Sequence, residues 1–410
     1  MKRYSLFLNA FFSGLISVAL LGPILSFLLN GFHIQFALPR LPIIFAVVFF
    51  LRLFFLLAQK YPLKITHLKI KRFTYRPSAS VILFCMILGL LIPFVIGKYW
   101  LTVLILAMIY MLLGLGLNIV VGYAGLLNLG FVAFYAAGAY TYALLAQYFH
   151  LGFWWSLPLC AIVSALFGTL LAFPVLRMYG DYLAIVTLGF AEIVRLILNN
   201  WDEVTGGPSG IPVPSPTLFG LEFTRVPELG GIPFHTFFKI EYASYYRYVF
   251  LFFIVYLILC ATIAFVVRLP QIPLGQSWEA LREDEIACRS LGINPVTTKL
   301  WAFTLGAMIA GIGGALFAAF SGFISPASFT FFESILILSI VVLGGMGSVV
   351  GTLIAAFILT FLPEVLREFS EYRMLLFGGL MVLMMIWRPQ GLIQMNRRSI
   401  IKIKDGNERL

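Results

Sequence analysis

The stretch "ESILILSIVVLGGMGSVVGTLIAAFILTFL", residues 333–362, is apolar over nearly its whole length, and Gly344, Gly345, Gly347 and Gly351 interrupt it near the middle. Each half has about 13 residues, which is short for a full membrane crossing. Irregular backbone at membrane depth is tolerated where protein buries it or water faces it. Glycine also lets helices pack closely. The stretch therefore predicts two short helices or a re-entrant pair, and both interpretations of its glycines remain open.

The rest of the chain has the same apolar character. Hydrophobic residues make up 61% of the 410 residues, the mean hydropathy is +1.00, and 11% of the residues are charged. Soluble domains are about 45–50% apolar, so this chain has too few polar residues to cover a surface in water. Its continuous apolar runs of about 18–24 residues predict helices, not the alternating strands of a membrane barrel. We predict an all-α, polytopic helical membrane protein with broken, Gly-rich helices.

The apolar runs and the basic residues between them predict the topology. The runs are 6–29, 41–58, 78–97, 100–121, 130–147, 155–176, 182–199, 246–267, 301–320, the broken segment 332–362, and 374–387. Residues 59–77 carry Lys and Arg but no acid, which predicts a cytoplasmic loop. Loop 199–245 then lies outside, loop 268–300 lies inside, and both termini are cytoplasmic. The net charge of +11 is assigned to this pattern and not to nucleic-acid binding.

Three divisions follow from this order. Residues 1–97 form extra N-terminal transmembrane helices with a basic cytoplasmic loop, residues 98–392 form the core, and residues 393–410 form a basic cytoplasmic tail. The four cysteines lack CxxC or disulfide-like spacing. The four histidines are scattered without a metal-binding pattern. The sequence gives no reason to expect a cofactor or a metal.

Polar residues inside the runs are candidates for a transport pathway. Residues 113–140 contain Asn118 and Asn128 among Gly122, Gly125 and Gly130, and amides at this depth should face protein or a cavity. We favour an interhelical hydrogen bond for Asn118 and cavity lining for Asn128. Glu192 and Arg195 are three residues apart and can pair on one helix face. The set of pathway candidates is Asn118, Gly122, Gly125, Asn128, Glu192, Gly344, Gly345 and Gly347.

The stretch "REDEIACRSLGINP", residues 282–295, is unusually charged for this chain. We predict one amphipathic helix from Trp278 to Leu291, with Ser277 as its N-cap and Gly292 as its stop. Asn294 should cap the next helix, with Pro295 at its first position. The apolar half of the wheel holds Trp278, Ala280, Leu281, Ala287, Cys288 and Leu291. The polar half of the helix carries four acids and only two arginines. Anionic lipid would repel such a surface, so a protein partner fits better.

These motifs together resemble a known family. The quoted stretches are "ALREDEIACRSLGINP", "GYAGLLNLG", "GDYLAIVTLGFAEIVRL", "TGGPSGI", "ILSIVVLGGMGSVVG" and "RPQGL". They resemble the permease subunits of bacterial ABC importers for branched-chain amino acids, over roughly residues 100 to 392. The first ~95 residues resemble the extra spans of the longer permease subtype. The coupling pattern E-A-A-x-x-x-G is met with departures, since Ile286 replaces the first Ala and Gly292 comes one residue late.

The resemblance implies an importer of leucine, isoleucine or valine in the inner membrane. Its partners would be a second permease subunit, two cytoplasmic ATPase subunits, a periplasmic binding protein and membrane lipid. By carry-over, Glu285, Ala287 and Gly292 match the coupling motif, and the binding-protein face includes Gly206, Gly207 and Gly210. The implied ATPase-coupling set is Trp278, Arg282, Glu283, Asp284, Glu285, Ala287, Arg289 and Gly292.

The chain itself contains no G-x-x-x-x-G-K-[ST] loop, so ATP hydrolysis would belong to a partner. We therefore expect a transport subunit and not an enzyme. Alternatives are an ABC permease for short amides, urea or simple sugars, an ion-coupled secondary transporter, and a membrane enzyme. A secondary transporter would show matched broken helices and mid-membrane acids, and Glu192 is the clearest such acid in the sequence.

Overall fold

The computed structural model describes residues 27–30, 33–36, 96–175, 181–217, 221–223, 232–233, 244–365 and 391–393, with single positions 89, 93, 178, 236, 378, 379 and 382. The chain divides into two compact units, Met1–Cys85 and Met86–Leu410. In the first unit, β1 (Phe27–Asn30) pairs antiparallel with β2 (His33–Phe36). The span predicted over 6–29 is therefore wrong at residues 27–29. The other N-terminal predictions, most of 78–97, most of the span 374–387 and the tail beyond 393 lie outside the described residues.

The described residues of the second unit are mostly helical. Its α-helices are α1 (Lys98–Leu117), α2 (Val132–Phe149), α3 (Phe153–Val175), α4 (Asp181–Asn200), α5 (Asp202–Thr205), α6 (Tyr245–Arg268), α7 (Pro273–Glu283), α8 (Glu285–Ser290), α9 (Pro295–Ser321), α10 (Phe331–Gly344) and α11 (Val349–Val365). A π-helix, Asn118–Tyr123, continues α1, and 3₁₀ turns cover Gly207–Ser209, Leu269–Gln271 and Pro326–Ser328. Short strands are β3 (Ile211–Pro212), β4 (Leu221–Glu222), β5 (Ile232–Pro233) and β6 (Phe323–Ile324).

The predicted spans between residues 100 and 362 are confirmed as helices. Among the described residues, six helical segments are long and apolar enough to cross a membrane: 98–123, 153–174, 182–200, 245–271, 295–321 and 326–344. The shorter apolar helix α11 accompanies them. A continuous apolar run of this length has apolar side chains on every face of a helix, and the helix satisfies its own backbone hydrogen bonds. A helix that spans the lipid is therefore the stable form of such a run. The protein is accordingly a multi-pass membrane protein.

Helix α9 lies at the centre of the bundle, against α1, α2 and α3, and most of its length is buried. Small residues make this possible. A Cβ atom built on Gly138 of α2 would lie 2.1 Å from the carbonyl oxygen of Gly311 in α9, so neither backbone could approach as closely with a side chain between them. Aromatic rings fill the outer part of this core, for example the edge-on contact of Tyr135 with Phe329.

The bundle has two distinct ends. At one end, which we call the strand end, β3 pairs antiparallel with β6, and the side chain of Lys98 at the start of α1 donates to Ser244 before α6. At the other end, which we call the loop end, the π-helix that closes α1 meets the loop helix α7, which leads into α8. The segments predicted to share one side of the membrane thus meet at one end of the bundle.

Residues 333–362 form two antiparallel helices, α10 and α11, joined by a turn over residues 345–348 that we call the glycine turn. The turn lies at the loop end, because the backbone N–H of Gly347 donates to Oδ1 of Asn118 in the π-helix at 2.8 Å. It also contacts the later chain, since the N–H of Leu392 donates to the carbonyl of Leu343 at 2.8 Å and Gly391 packs against Gly345. The far end of α11 returns to the strand end, where Glu364 accepts a hydrogen bond from Tyr99. Of the two alternatives drawn from the sequence, the pair of helices is the one observed.

Candidate functional site

The loop between α6 and α9, which contains the charged stretch 282–295, holds two helices, α7 and α8, and not the single helix predicted over 278–291. The chain breaks at Asp284, whose backbone is extended (φ −156°, ψ 112°) and whose Oδ1 accepts hydrogen bonds from the N–H groups of Ile286 (2.8 Å) and Ala287 (3.1 Å). An Asp at this position offers the first turn of a new helix an acceptor, so it favours a cap over continuation. The predicted N-cap was also wrong, because α7 begins at Pro273 and Ser277 lies inside it.

The break at Asp284 changes which side chains of the loop are buried in the protein. Trp278 is fully buried, and its indole Nε1 donates to the carbonyl of Thr298 at 2.8 Å. Leu281 and Cys288 are buried as well, as predicted. Ala287 and Leu291, predicted on the same half, are exposed instead, because α8 starts a new helical phase after Asp284.

The return into the membrane follows the prediction. Gly292 has φ +83°, a left-handed conformation that suits glycine after the last turn of a helix. Oδ1 of Asn294 accepts from the N–H of Val296 at 3.0 Å, and Pro295 opens α9. The cap at Asn294 is therefore confirmed, and it sets the sharp turn between α8 and α9.

The charged residues of the loop fall into two groups. Arg282 points into the protein, where its Nη1 donates to the carbonyl of Gly122 and its aliphatic stem packs on Gly125. Glu285 is held between Lys299, at 2.8 Å, and Arg289, at 3.2 Å. The side chains left exposed are Glu283, Asp284 and Arg289, together with the apolar Ile286 and Leu291, each 79% exposed.

The π-helix links Arg282 to the glycine turn. Asn118 is fully buried, and its Oδ1 accepts from the backbone N–H of Gly347 at 2.8 Å. A Cβ on Gly122 would lie 2.5 Å from the same nitrogen, so this position requires a glycine. A π-helical turn widens the backbone ladder and is often found at functional sites. Here it brings one residue of the coupling set and four of the pathway set, Asn118, Gly122, Gly125 and Gly347, into one cluster.

The two remaining glycines of the set lie at the end of α10. Gly345 has φ +103°, outside the range that other residues adopt easily. Gly344 packs against Gly351 of α11, whose carbonyl carbon would lie 2.6 Å from a Cβ on Gly344. Residues other than glycine would therefore be strained at position 345, and a side chain at position 344 would overlap α11.

Asn128 lies in the irregular segment between the π-helix and α2. It is fully buried, and its Oδ1 accepts from the N–H of Gly130 at 2.8 Å. Gly130 in turn packs against the backbone of Thr187 in α4. Within the part of the chain that the structure describes, the Nδ2 donors of Asn118 and Asn128 have no hydrogen-bond partner. Buried donors of this kind mark places where water or a changed conformation can supply the missing acceptor.

The "TGGPSGI" segment lies at the strand end. Gly206, Gly207 and Gly210 all have positive φ (+66°, +51° and +69°) and form a tight loop. A Cβ on Gly210 would lie 2.3 Å from the carbonyl of Ile324 in β6. These glycines shape the loop, while Pro208 and Ser209 at its tip are exposed.

Glu192 and Arg195 form the predicted pair on α4. Nε of Arg195 donates to both carboxylate oxygens of Glu192, at 3.1 and 3.0 Å. The two side chains remain 43% and 32% exposed, respectively, on the surface of the bundle. A single charge at the centre of a spanning helix costs about 2.5–3.5 kcal/mol on insertion scales. The pair reduces that cost by mutual neutralisation.

Two polar residues with partners in the structure, Lys299 and Glu333, were not identified from the sequence. Lys299 is buried and holds Glu285, although it lies in the apolar-leading "NPVTTKLW". Glu333 at the start of α10 accepts a hydrogen bond from Tyr110 of α1 at 2.6 Å. An acid or a lysine in the first turns of an apolar run is the signal that could have marked both residues.

Comparison with known proteins places this arrangement in a family. The family model described as "Branched-chain amino acid transport system / permease component" matches residues 99–385. The permease protein LivM of the high-affinity branched-chain amino acid transport system of Salmonella typhimurium is 56% identical over 316 residues, 77% of this chain and 74% of LivM. LivM of Escherichia coli K12 is 54% identical over 323 residues, 78% of this chain and 76% of LivM.

A more distant relative is LivH, a second permease protein of the same system in Salmonella typhimurium. It is 24% identical over 295 residues, 69% of this chain and 91% of LivH. No solved structure matches the chain. The residues that the family model matches include the loop helices, the π-helix and the glycine turn. The chain therefore belongs to the family of permease components of branched-chain amino acid transport systems.

Proposed function

We propose that this chain is a membrane-spanning subunit of an ATP-driven importer of leucine, isoleucine and valine. The observation that carries the proposal is the loop between α6 and α9, whose exposed apolar and charged tip stands on a base bonded into the core through Trp278, Arg282 and Glu285. The transport system to which the LivM relatives belong supplies the substrate class. The chain acts as a transport subunit, and it lies in a bacterial inner membrane with both termini in the cytoplasm.

Separate cytoplasmic ATPase subunits supply the energy, two in each complex. The surface offered to them is the tip of the loop, where Ile286 and Leu291 are exposed beside Asp284 and Arg289. Exposed aliphatic side chains rimmed by charges are typical of a protein docking surface. Glu283 and Ala287 flank this tip. Trp278, Arg282, Glu285 and Gly292 contribute by holding the loop in position.

The proposed transport route uses the glycine turn and the segment around Asn128. Movement of the loop would act on the π-helix through Arg282, and the π-helix would act on the turn through Asn118. A second permease subunit related to LivH completes the membrane part. A periplasmic binding protein docks at the opposite face, on the loop that Gly206, Gly207 and Gly210 shape.

The experiment is uptake of radiolabelled leucine into proteoliposomes that contain this chain with its neighbouring permease and ATPase proteins. We expect uptake that requires ATP and binding protein, and that isoleucine and valine reduce by competition. Urea, short amides and simple sugars should not compete. Uptake driven by an ion gradient without ATPase subunits would contradict the proposal, as would uptake that leucine does not saturate.

A second measurement addresses the loop tip. Ile286→Arg and Leu291→Arg place charges on the exposed apolar surface, and we expect them to lower binding-protein-stimulated ATP hydrolysis while the chain still inserts and folds. The matched control is Gln276→Arg, a similar change at an exposed position of α7. Equal hydrolysis in the tip variants and the control would show that the ATPase docks elsewhere.

A further inference from the structure

Two spanning helices, α3 and α4, carry large exposed faces, and the faces differ in chemistry. On α3 the exposed side chains follow a helical stripe of Ile162, Leu166, Leu170 and Phe173, all apolar. A stripe of this composition is suited to lipid chains. On α4 the exposed stripe holds Tyr182, Ile185, Ile193 and Leu196, and the ion pair of Glu192 and Arg195 borders it.

The ion pair lies deep in the span. Helix α4 runs from Asp181 to Asn200, so at 1.5 Å per residue Glu192 is about 2 Å and Arg195 about 7 Å from the helix midpoint along the axis. Arg195 is the residue nearer the helix end. Its guanidinium nevertheless bonds back to Glu192, toward the middle of the membrane. The pair is therefore not arranged as side chains that extend to the membrane surface.

Lipid is a poor neighbour for this face, and so is water. Charged groups inside a membrane face protein or water in nearly all known cases, since hydrocarbon cannot solvate their remaining hydrogen-bonding groups. Water would solvate the pair, but it would also contact the apolar side chains of Ile185, Ile193 and Leu196 beside it. A protein surface with a polar group set among apolar ones satisfies both requirements.

Two further observations favour a helix from another subunit. Among the six spans identified in the described residues, α4 is the least buried within its own chain, since 28% of its most apolar 18-residue stretch is buried. Gly189 lies in the exposed stripe with no atom of another part of the chain within 4 Å of its Cβ position. A glycine in an open helix face allows a second helix to approach closely.

We propose that this face of α4 is the surface on which the second permease subunit packs, with the Glu192–Arg195 pair at the border of the contact. The occupant fits because the family contains two permease proteins of one transport system, LivM and LivH of Salmonella typhimurium, and this chain is similar to both. The inference rests on the proposed function, which supplies the second subunit. It assigns the stripe on α3 to lipid.

The test is spin-label accessibility in the assembled importer. Single cysteines replace Ile185 and Ile193 on α4, and Leu166 and Leu170 on α3 as controls, in a chain whose four native cysteines are changed to alanine. In proteoliposomes, collision with oxygen reports contact with lipid, and collision with a water-soluble nickel chelate reports contact with water. We expect the α3 labels to be accessible to oxygen and the α4 labels to be several-fold less accessible to both reagents.

Either alternative environment would overturn the inference. Oxygen accessibility at Ile193 equal to that at Leu166 means that lipid covers α4, and high nickel accessibility means that water does. A photoactivatable cross-linker on the cysteine at position 193 identifies the neighbour by mass spectrometry. Peptides of the second permease support the inference, whereas cross-links confined to lipid or to another subunit contradict it.

Failure of the proposed function would look different. Uptake of leucine by the cysteine-free parent complex tests that function independently of any label. If the parent complex transports leucine but the α4 labels are in lipid, the interface is wrong and the function stands. If the complex does not transport leucine but the α4 labels are shielded and cross-link to the second permease, the interface stands and the substrate assignment fails.

Discussion

Reversing the charge at Glu285 tests how the loop is held to the membrane core. Glu285 accepts from the Nζ of Lys299 at 2.8 Å, and the Lys299 side chain is only 6% exposed. The change Glu285→Lys removes this acceptor and places a second cation beside a buried one. Breaking a fully buried pair costs about 3–5 kcal/mol. Because Glu285 is 23% exposed, we expect the attachment of α8 to weaken by about 1.5–3 kcal/mol.

The assay is amide hydrogen exchange of the purified complex, followed by mass spectrometry of the peptide that covers α8. A loss of this size predicts roughly 10- to 150-fold faster local exchange, since each 1.4 kcal/mol is a factor of ten. Adding Lys299→Glu restores the pair in reverse and should return exchange and stimulated ATP hydrolysis toward the parent values. The control Gln276→Lys introduces a lysine at an exposed position of α7. Unchanged exchange in Glu285→Lys, or no recovery in the double variant, would show that the Glu285–Lys299 pair does not hold α8 to the core.

Three further changes test other parts of the structure. Asn118→Leu leaves the N–H of Gly347 without its acceptor, so we expect a loss of about 1–3 kcal/mol, seen as a lower melting temperature in detergent; an unchanged melting temperature speaks against this contact. Gly138→Val should prevent folding because it overlaps the α9 backbone, whereas Gly97→Ala, with open space around it, should accumulate normally; equal yields would argue against close packing. A cysteine at Ser209 should react with an impermeant thiol reagent in intact spheroplasts, and labelling only after permeabilisation would reverse the topology.

Composition alone predicted most of the core. The spans 182–199 and 246–267 correspond to helices at 181–200 and 245–268, because a long apolar run has few alternatives to a spanning helix. The paired helices around the glycine turn were one of the two predicted forms. Sequence patterns could not choose between these forms, since they do not reveal contacts such as those of Leu343 and Gly344 with residues 392 and 393, about 50 residues farther along the chain.

The loop between α6 and α9 shows where periodicity fails. A helical wheel assumes one continuous helix, and the side chain of Asp284 breaks it with two local hydrogen bonds. The pattern of hydrophobic residues carries no record of such a cap. The signal was present, because Asp284 directly precedes the short helical segment "EIACRS". The same residue, however, also fitted the charged half of one longer helix.

The candidate site could be predicted only in parts. Arg282 and Asn118 were identified separately, one from its charge and one as an amide in an apolar run. Their connection runs through Gly122, 160 residues before Arg282, and Gly347, 229 residues after Asn118. Contacts over such separations depend on how the helices pack, which one sequence does not specify.

Helix α9 is anchored at both of its ends. Near its start, Trp278 and Glu285 hold Thr298 and Lys299, and beyond its other end β6 pairs with β3, which directly follows Gly210. Its 27 residues make a rod about 40 Å long. A rigid tilt of about three degrees about one end therefore carries the other end through about 2 Å. A movement at one end of the bundle can therefore shift the other end without any change in the hydrogen bonds of the helix itself.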